Sequence, residues 1–313
     1  MKVEVVPLEQ ADRAELAQLW NEVAAPESEM YRTIGPEEFA ERLEGRVGVA
    51  ADIIITAHSA GRLVGFAAGC ARGLVDEEAA NLAAIVVRPG ERGEGVGAEI
   101  LARFEEVARE RGARRALVSP ASHVRFAFGV DPRTEAYRWL WGRGYSVRQI
   151  HLYMRRELAG WEMSASVRRR VERLQDEGFA FRLADKEDTE ALLACARTIR
   201  EPIAQTLERN AQRRTRLPVL IAARRGRVAG FVGAMWVTRC GIADFDLIAV
   251  ASEERGKGIG TALFSLAVEH FAREGATVLE LMTEPTNAAQ KIYFEAGFRH
   301  PCFFASFQKE LWD

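Results

Sequence analysis

The sequence contains one glycine-rich turn twice, as Arg92-Gly93-Glu94-Gly95-Val96-Gly97 and as Arg255-Gly256-Lys257-Gly258-Ile259-Gly260. Each copy follows an apolar stretch typical of a strand, at 84–87 and at 247–250, and precedes an amphipathic stretch typical of a helix. Glycines at a helix start leave several backbone N–H groups accessible, and the helix dipole adds partial positive charge there. Because such an arrangement binds pyrophosphate, the chain is predicted to contain two copies of one cofactor-binding unit.

The similarity between the two halves extends beyond this turn. Four further pairs of segments match in the same order along the chain: 12–16 with 188–192, 61–66 with 226–231, 112–113 with 275–276, and 154–158 with 307–311. One such match can arise by chance, but four in the same order indicate an internal duplication.

Length and composition limit the functional classes. A chain of 313 residues suits two domains that each bury a core, and apolar and charged shares of 48% and 28% are typical of globular proteins. A net charge of −2 gives no general attraction to nucleic acid or to anionic membranes. The N-terminal residues lack the apolar core of a signal peptide, and no apolar run approaches the ~20 residues of a membrane span. We therefore expect a cytoplasmic protein that binds neither nucleic acid nor membranes.

The cysteines and histidines show no metal-binding pattern. Cys70, Cys195, Cys240 and Cys302 are scattered without a Cys-x-x-Cys pair, and none of the five histidines has a partner at ligand spacing. We expect reduced thiols and no metal site.

The predicted secondary structure has the same order in both halves. Mostly antiparallel strands with interspersed helices predict an α+β (mixed α/β) fold, in which a twisted sheet is flanked by helices, rather than the strict alternation of a Rossmann fold. The predicted organisation is an N-terminal domain at 1–158, a basic linking helix at 159–178 with Ser164 or Ser166 as its N-cap, and a C-terminal domain at 179–313.

Two other phosphate-binding motifs do not match the turn. The Gly-x-Gly-x-x-Gly order of a dinucleotide-binding unit is absent, and so is its ribose-binding acid. A P-loop needs Ser or Thr after its lysine, whereas Lys257 is followed by Gly258. The specificity of the signal comes from its context, which is an arginine at the start, a strand before, a helix after and a second copy.

In that context the second half resembles a known family. The stretch Val250-Ala251-Ser252-Glu253-Glu254-Arg255-Gly256-Lys257-Gly258-Ile259-Gly260 resembles the acyl-CoA-binding signature of the GNAT superfamily of N-acetyltransferases. The stretch Asn287-Ala288-Ala289-Gln290-Lys291-Ile292-Tyr293-Phe294-Glu295-Ala296-Gly297-Phe298 is similar to that superfamily's Asn-…-Ala-…-Tyr-…-Gly-Phe motif, with the asparagine one place later than usual and Thr286 in its common position. Because the resemblance covers both halves, the chain is identified as a tandem GNAT protein, an internal pseudo-dimer that is compatible with a monomeric chain.

The resemblance implies acetyl-CoA as co-substrate. The turn amides would hold its pyrophosphate, while backbone N–H groups of Ile248 and Val250 would hold the pantetheine arm and polarise the carbonyl. The cofactor contacts implied in the second half are Ile248, Ala249, Val250, Arg255, Gly256, Lys257, Gly258, Ile259, Gly260 and Asn287.

Transfer to an amine also requires a base, because an amine with a pKa near ~10 is mostly ammonium at neutral pH. The resemblance implies that Asp246, four residues before Val250, acts as this base through water, with Asp244 as the alternative. It also implies that Tyr293 is the acid that protonates the leaving thiolate. Asp246 equally fits a solvated strand residue, and a tyrosine on a short helix also fits a core position.

The first half lacks both catalytic groups at the matched positions, where Leu140 replaces the tyrosine and Ala83 the base. Its turn is complete, so contacts to a CoA are still predicted for Val87, Arg92, Gly93, Gly95 and Gly97. We interpret the first half as non-catalytic and expect the active site within 179–313.

The resemblance therefore implies transfer of an acetyl group from acetyl-CoA to a primary amine of a small-molecule or peptide acceptor. Direct attack in a ternary complex is expected, because no activated Cys or Ser nucleophile is indicated. The alternative is a non-catalytic acyl-CoA or small-molecule sensor. A run of arginines lies in the segment where the resemblance implies an acceptor pocket. This run fits either a solvated helix face or a site that recognises a carboxylate or phosphate on the acceptor. Its members are Arg209, Arg213, Arg214 and Arg216.

Overall fold

The computed structural model of the chain describes residues 1–27, 31–45, 49–72, 76, 78–118 and 124–312, with the backbone alone at 300 and 301. The chain forms two compact units, one of Met1–Tyr153 together with Pro301–Asp313 and one of Met154–His300. Each unit contains a mostly antiparallel sheet with helices, which confirms the predicted α+β fold class.

Unit 1 contains most of the first repeat. Its elements in chain order are β1 (Lys2–Val5), α1 (Arg13–Glu27), α2 (Pro36–Glu44), β2 (Ile53–Ser59), β3 (Arg62–Cys70), β4 (Ala79–Val87), α3 (Val96–Glu110), β5 (Arg115–Val118), α4 (Glu135–Trp141) and β6 (Ser146–Glu157). Asp12 caps the start of α1, because Asp12 Oδ1 accepts a hydrogen bond from Glu15 N at 3.0 Å. Helix α2 was not predicted, although Pro36 in its first turn and the two glutamates after it are signals of a helix start.

Strands β1 to β5 follow one another in the sheet of unit 1. The first three pairings are antiparallel, and β4 with β5 is parallel. Helix α3 packs on this sheet, and its Phe104 is fully buried beside Ile55 of β2. The apolar stripe that the sequence shows on this helix thus forms the core of the unit.

The last strand of the chain completes unit 1. This strand, β12 (Arg299–Glu310), pairs antiparallel with β5, and Phe307 lies opposite Val118. Lys309 Nζ on β12 donates to both carboxylate oxygens of Glu105 on α3, at 2.9 and 2.8 Å. Tyr145 OH donates to the same carboxylate at 3.1 Å, and burial, followed by the charge of Glu105, raises the pKa of Tyr145.

Unit 2 contains the remaining elements. In chain order they are α5 (Ala165–Asp176), β7 (Ala180–Leu183), α6 (Thr189–Ile199), α7 (Glu201–Ala211), β8 (Leu220–Arg224), β9 (Arg227–Val237), β10 (Ile242–Val250), α8 (Ile259–Arg273), β11 (Val278–Thr283) and α9 (Gln290–Glu295). The strands from β7 to β10 follow in order, with antiparallel pairings, and β11 lies next to β10 in parallel. In the described part of the chain, no helix is both long and apolar enough to cross a membrane.

The helix predicted as a linker packs into unit 2. Ser164 is the N-cap of α5, and its Oγ accepts from Val167 N at 3.4 Å. Val167, Val171 and Leu174 recur along one side of α5 and are buried in the core that also contains Phe264 of α8. Helix α5 is thus a structural part of this unit.

The compact units do not divide where the sequence repeat divides. The repeat assigns the strand at 154–158 to the first half and the strand at 307–311 to the second. In the structure, the end of β6 from Met154 onward belongs to unit 2, where Leu158 N donates to Thr277 O at 2.8 Å, and residues from Pro301 onward belong to unit 1. The predicted boundaries follow order in the sequence, whereas a compact unit is defined by contacts.

We expect Glu105→Ala to lower the free energy of unfolding by about 2 kcal/mol, because Lys309 would lose its carboxylate partner in a largely buried place. The expected loss is smaller than for a fully buried ion pair, since the Lys309 side chain is 26% exposed. Urea unfolding of the full chain measures the change. Glu110→Ala removes an exposed glutamate from the same helix and should stay within about 0.5 kcal/mol of wild type. Equal effects of the two variants would contradict a specific role for the Glu105 contacts.

Candidate active site

Strands β10 and β11 separate soon after they begin. Their parallel pairing ends at Ala243 opposite Leu279, whereas β10 continues to Val250. Strands β4 and β5 of unit 1 likewise pair only as far as Asn81 and Leu117. Within the described residues each unit therefore has a strand edge that faces an opening, and the backbone groups along such an edge need other hydrogen-bond partners.

Backbone groups of β10 point into this opening. Ala251 N donates to Ala229 O of β9 at 2.9 Å, and successive residues of an antiparallel strand direct their N–H groups to opposite edges. The N–H groups of Val250 and Ile248 therefore lie on the open edge, where a ligand can reach them. Ala249, in contrast, directs its N–H group toward β9.

Both glycine-rich turns have the same backbone conformation. The φ angles of Gly256 and Gly258 are 79° and 89°, and those of Gly93 and Gly95 are 84° and 88°. These left-handed values favour glycine. The second glycine of each turn is the N-cap of the following helix, α8 or α3, and no side chain caps that helix. Both turns thus present helix N-terminal N–H groups in the geometry that binds anions.

The third glycine of each turn permits close packing of helices. A Cβ on Gly260 would lie 3.0 Å from Ile292 Cδ1 of α9, and one on Gly97 would lie 3.2 Å from Trp139 Cζ2 of α4. Ile259, beside Gly260, is buried in the core with its side chain directed away from solvent. Close packing between helices therefore requires glycine at 260 and at 97. At these positions a ligand could be bound by the backbone N–H groups but not by a side chain.

The arginine that begins each turn closes it. Arg255 Nε donates to Val250 O at 3.1 Å, and Arg92 Nε donates to Val87 O at the same distance. Arg92 also forms an ion pair with Glu27 and lies 3.9 Å from Glu135. The contact between the arginine Nε and the strand carbonyl, which both turns share, orients the turn relative to the open strand edge.

Lys257, in the middle of the second turn, takes part in an ion-pair chain. Its Nζ lies 2.6 Å from Glu254 Oε2, and Arg224 lies 3.0 Å from the other oxygen of Glu254. The hydrogen bond from Lys257, aided by the charge of Arg224, holds the pKa of Glu254 below its usual range. Positive charge next to the turn is thus partly balanced by one carboxylate.

Tyr293 lies on α9 within the core of unit 2. Its side chain is 4% exposed and packs edge-on against Phe264 of α8, with ring centroids 4.8 Å apart. Burial raises the pKa of Tyr293, so its hydroxyl stays protonated well beyond neutral pH. A protonated hydroxyl is what a proton donor requires.

The two candidate bases differ in burial. Asp244 is 5% exposed and accepts a hydrogen bond from Phe245 N at 2.8 Å, whereas Asp246 is exposed. The alternation of side chains along β10 shifts here by one residue. Phe245 and Ile248 pack against the same core, and Leu247 packs against the opposite one. Asp246 lies at this shift, so simple alternation does not define its face.

Asn287 lies in the turn before α9 and is exposed. Its Oδ1 accepts a hydrogen bond from Ala289 N at 2.9 Å, while its backbone N–H group donates to Glu284 O at 3.0 Å. In this position the asparagine shapes the turn, and its contact with pantetheine stays a prediction.

Thr283 is a buried polar residue that the sequence motifs do not single out. It ends β11, is 6% exposed, and its Oγ1 is buried without a hydrogen-bond partner among the described residues. Buried hydroxyl groups are normally hydrogen-bonded, so this atom is an exception at the end of β11, the strand that separates from β10. A sequence pattern does not reveal such an atom, because its burial depends on packing between distant segments.

Unit 1 has the same frame with different side chains. Tyr145 N donates to Leu140 O at 3.2 Å, and Phe298 N donates to Tyr293 O at 2.9 Å, so Leu140 occupies the place of Tyr293. Arg88 N donates to Val64 O at 2.8 Å, which places the Val87 N–H group on the open edge of β4. The pairing of β3 with β4 shifts by one residue at Ala83, the position that corresponds to Asp246.

The remaining side chains that the sequence singles out have a structural setting of their own. Burial raises the pKa of Cys195 on α6 to about 11, which disfavours a thiolate. The arginine run lies at the end of α7 and in the segment after it, where Asn210 bonds to the backbone of Leu217 at 2.9 and 3.0 Å. Among the described residues, no three His, Cys, Asp or Glu side chains come together as a metal site would need.

Comparisons with known proteins agree with this architecture. The sequence model of the Acetyltransferase (GNAT) family matches residues 16–127 and 166–298, while a search of curated proteins finds no match. The fold is similar to a GCN5-related glucosamine N-acetyltransferase region of a fungal multi-domain GH3 β-N-acetylglucosaminidase, with a TM-score of 0.78, 18% identity, and coverage of 98% of this chain and 38% of that chain. This chain thus spans well under half of that fungal protein.

Two further solved structures match over almost their whole length. A GCN5-related N-acetyltransferase from Sphaerobacter thermophilus has a TM-score of 0.72 and 18% identity, with coverage of 100% of this chain and 96% of that chain. A tandem GNAT protein from the clavulanic acid biosynthesis pathway has a TM-score of 0.66 and 17% identity, with coverage of 100% and 99%. Since the family model matches both repeats, the chain belongs to the GNAT acetyltransferase family, as a tandem protein with two GNAT domains.

Proposed function

We propose that this protein transfers an acetyl group from acetyl-CoA to a primary amine of a small-molecule or peptide acceptor, and that the reaction takes place in unit 2. The observation that carries the proposal is a side-chain difference between two units that share the same backbone arrangement. Both units have an open strand edge and a glycine-rich turn, but only in unit 2 does a tyrosine, Tyr293, stand where the other unit has Leu140.

The residues around the opening fit acetyl-CoA. A pyrophosphate needs accessible N–H donors. No described atom lies within 4 Å of a Cβ built on Gly256, and the side chain beside Gly258 belongs to a cation, Arg170. The pantetheine amides need hydrogen-bond partners, which the open-edge backbone of Val250 and Ile248 can provide. When bound, acetyl-CoA supplies an acetyl thioester, which an amine can attack.

The side chains of unit 2 have separate proposed roles. Asp246 removes a proton from the acceptor ammonium through water, because its exposure allows contact with an acceptor from solvent. Tyr293 keeps its proton through burial and donates it toward the departing sulfur. The raised pKa of Cys195 favours direct attack by the amine over an acetylated cysteine.

The alternative function is a sensor that binds acyl-CoA without turnover. A thiol-release assay with the full chain, acetyl-CoA and a panel of amines and peptide N-termini distinguishes the two. Release of CoA that depends on an amine supports the enzyme. Calorimetric binding of acetyl-CoA without release for any acceptor class supports the sensor.

We expect Tyr293→Phe to lower kcat by about 10²–10⁴-fold, the usual contribution of a general acid, while the Kd for CoA changes by less than about threefold. The hydroxyl matters mainly when charge develops on the leaving sulfur. Steady-state kinetics and calorimetry measure the two effects. Tyr137→Phe on α4 of unit 1 is the matched control and should retain full kcat. A Tyr293→Phe enzyme with wild-type kcat would remove this hydroxyl from the mechanism.

The choice between the two aspartates leads to a separate prediction. Asp246→Asn should lower kcat/KM at neutral pH by about 10²-fold or more, and the loss should shrink as the pH approaches the pKa of the free amine near ~10, where the acceptor loses its proton unaided. Asp244→Asn should change kcat/KM less and keep the wild-type pH profile. A pH-dependent loss confined to Asp244→Asn would assign the base to Asp244 instead.

A further inference from the structure

Helix α5 brings two arginines to the second glycine-rich turn. Arg170 and Arg173 are three residues apart and therefore share one side of the helix, while Val167, Val171 and Leu174 bury its apolar side in the core. The helix lies outside the glycine-turn and tyrosine motifs of the repeat, so neither motif predicts this placement.

Arg173 bonds to the backbone of the turn itself. Its Nη2 donates to Lys257 O at 2.9 Å, and its Nη1 donates to Glu177 at 2.6 Å on the same helix. A guanidinium has five N–H donors, so these two contacts use only part of its capacity. The hydrogen bond from Arg173 to Lys257 O holds the positive guanidinium group against the glycine-rich turn.

Arg170 lies over the glycine that caps α8. A Cβ on Gly258 would lie 2.6 Å from Arg170 Cδ and 3.1 Å from its Nε. The Arg170 Nη1 atom also lies 3.1 Å from Glu295 Oε2. The side chain therefore occupies the space directly beside the N–H groups at the start of α8, and 31% of it remains exposed.

The first turn lacks this arrangement. Among the described residues, nothing lies within 4 Å of a Cβ built on Gly93 or on Gly95. The two turns have the same backbone, but among the described residues an arginine side chain lies beside Gly258 and no atom lies as close to the corresponding Gly95. This difference parallels the difference between Tyr293 and Leu140.

We propose that Arg170 and Arg173 form part of the phosphate-binding site of unit 2, so that helix α5 helps to determine its affinity for CoA. This inference rests on the proposed function. The ligand chemistry is a phosphate group, because guanidinium groups bind phosphate through several parallel N–H contacts and stay charged at all relevant pH values. On binding, Arg170 exchanges Glu295 for a phosphate oxygen, and Arg173 keeps its bond to the turn.

The test is calorimetric titration of the full chain with CoA and with dephospho-CoA. We expect Arg170→Ala and Arg173→Ala each to raise the Kd for CoA by about 3- to 10-fold, a value reduced by the partial exposure of both side chains. Arg170→Lys, which keeps the charge, should recover part of the affinity. If the loss disappears with dephospho-CoA, the arginines bind the 3′-phosphate; if it persists, they bind the pyrophosphate.

Arg168→Ala and Arg169→Ala are matched controls, since both remove an exposed arginine from the same helix. Both should leave the Kd for CoA within about twofold of wild type, because exposed charges are screened by salt. An unchanged or lower Kd in the Arg170→Ala/Arg173→Ala double variant, or equal losses in the controls, would overturn the inference. Absence of CoA binding by the wild-type chain would instead overturn the proposed function and, with it, this inference.

Discussion

The site depends on the early separation of two parallel strands. A buried backbone N–H group without a partner costs about 1–3 kcal/mol, so most sheets pair their central strands along their whole length. Here β10 loses its β11 partner after Ala243 and continues to Val250 with one edge open. The glycine-rich turn follows directly, and Arg255 ties it to the same edge through Val250 O. The N–H groups along the open edge of β10 are thus followed directly by those of the turn. A linear ligand with amides along its length and phosphates at one end matches this order of hydrogen-bond donors.

The duplication separates the backbone features that both units share from the side chains that differ between them. In unit 1 the open edge, the left-handed glycines and the arginine contact to the strand are all retained, although Leu140 and Ala83 offer no ionisable group. These features are backbone geometry, which a fold keeps as long as the sheet and helix pack together. The two side chains proposed to add chemistry, Tyr293 and Asp246, stand where unit 1 has Leu140 and Ala83, and Tyr293 also packs in the core against Phe264. The turn is therefore a feature that both units share, whereas the tyrosine distinguishes them and supports the site proposed in unit 2.

Much of this structure could be predicted from local sequence. The glycine turns, the helices after them and the cap of α5 at Ser164 depend on residues close together in the chain. The two helices that begin with a proline in the first turn, α2 and α7, were missed although their start signals are local. The contacts of Arg170 with Gly258, the buried hydroxyl of Thr283 and the position of β12 could not be predicted, because each depends on segments distant in sequence. A repeat pattern does not indicate the pairing of β12 with β5, since similarity assigns each strand to its own half.

The position of β12 has a consequence for how the chain folds during synthesis. Lys309 and Glu105, which join β12 to α3, are 204 residues apart in the sequence, and contacts between distant residues form slowly because the intervening chain must first be ordered. The residues of unit 2 are continuous from Met154 to His300, so they all leave the ribosome before unit 1 is complete. Domains generally fold from the N-terminus during translation, but here unit 1 is completed only when residues 301–313 have been made. Until then, the edge of β5 stays open to pairing with other strands.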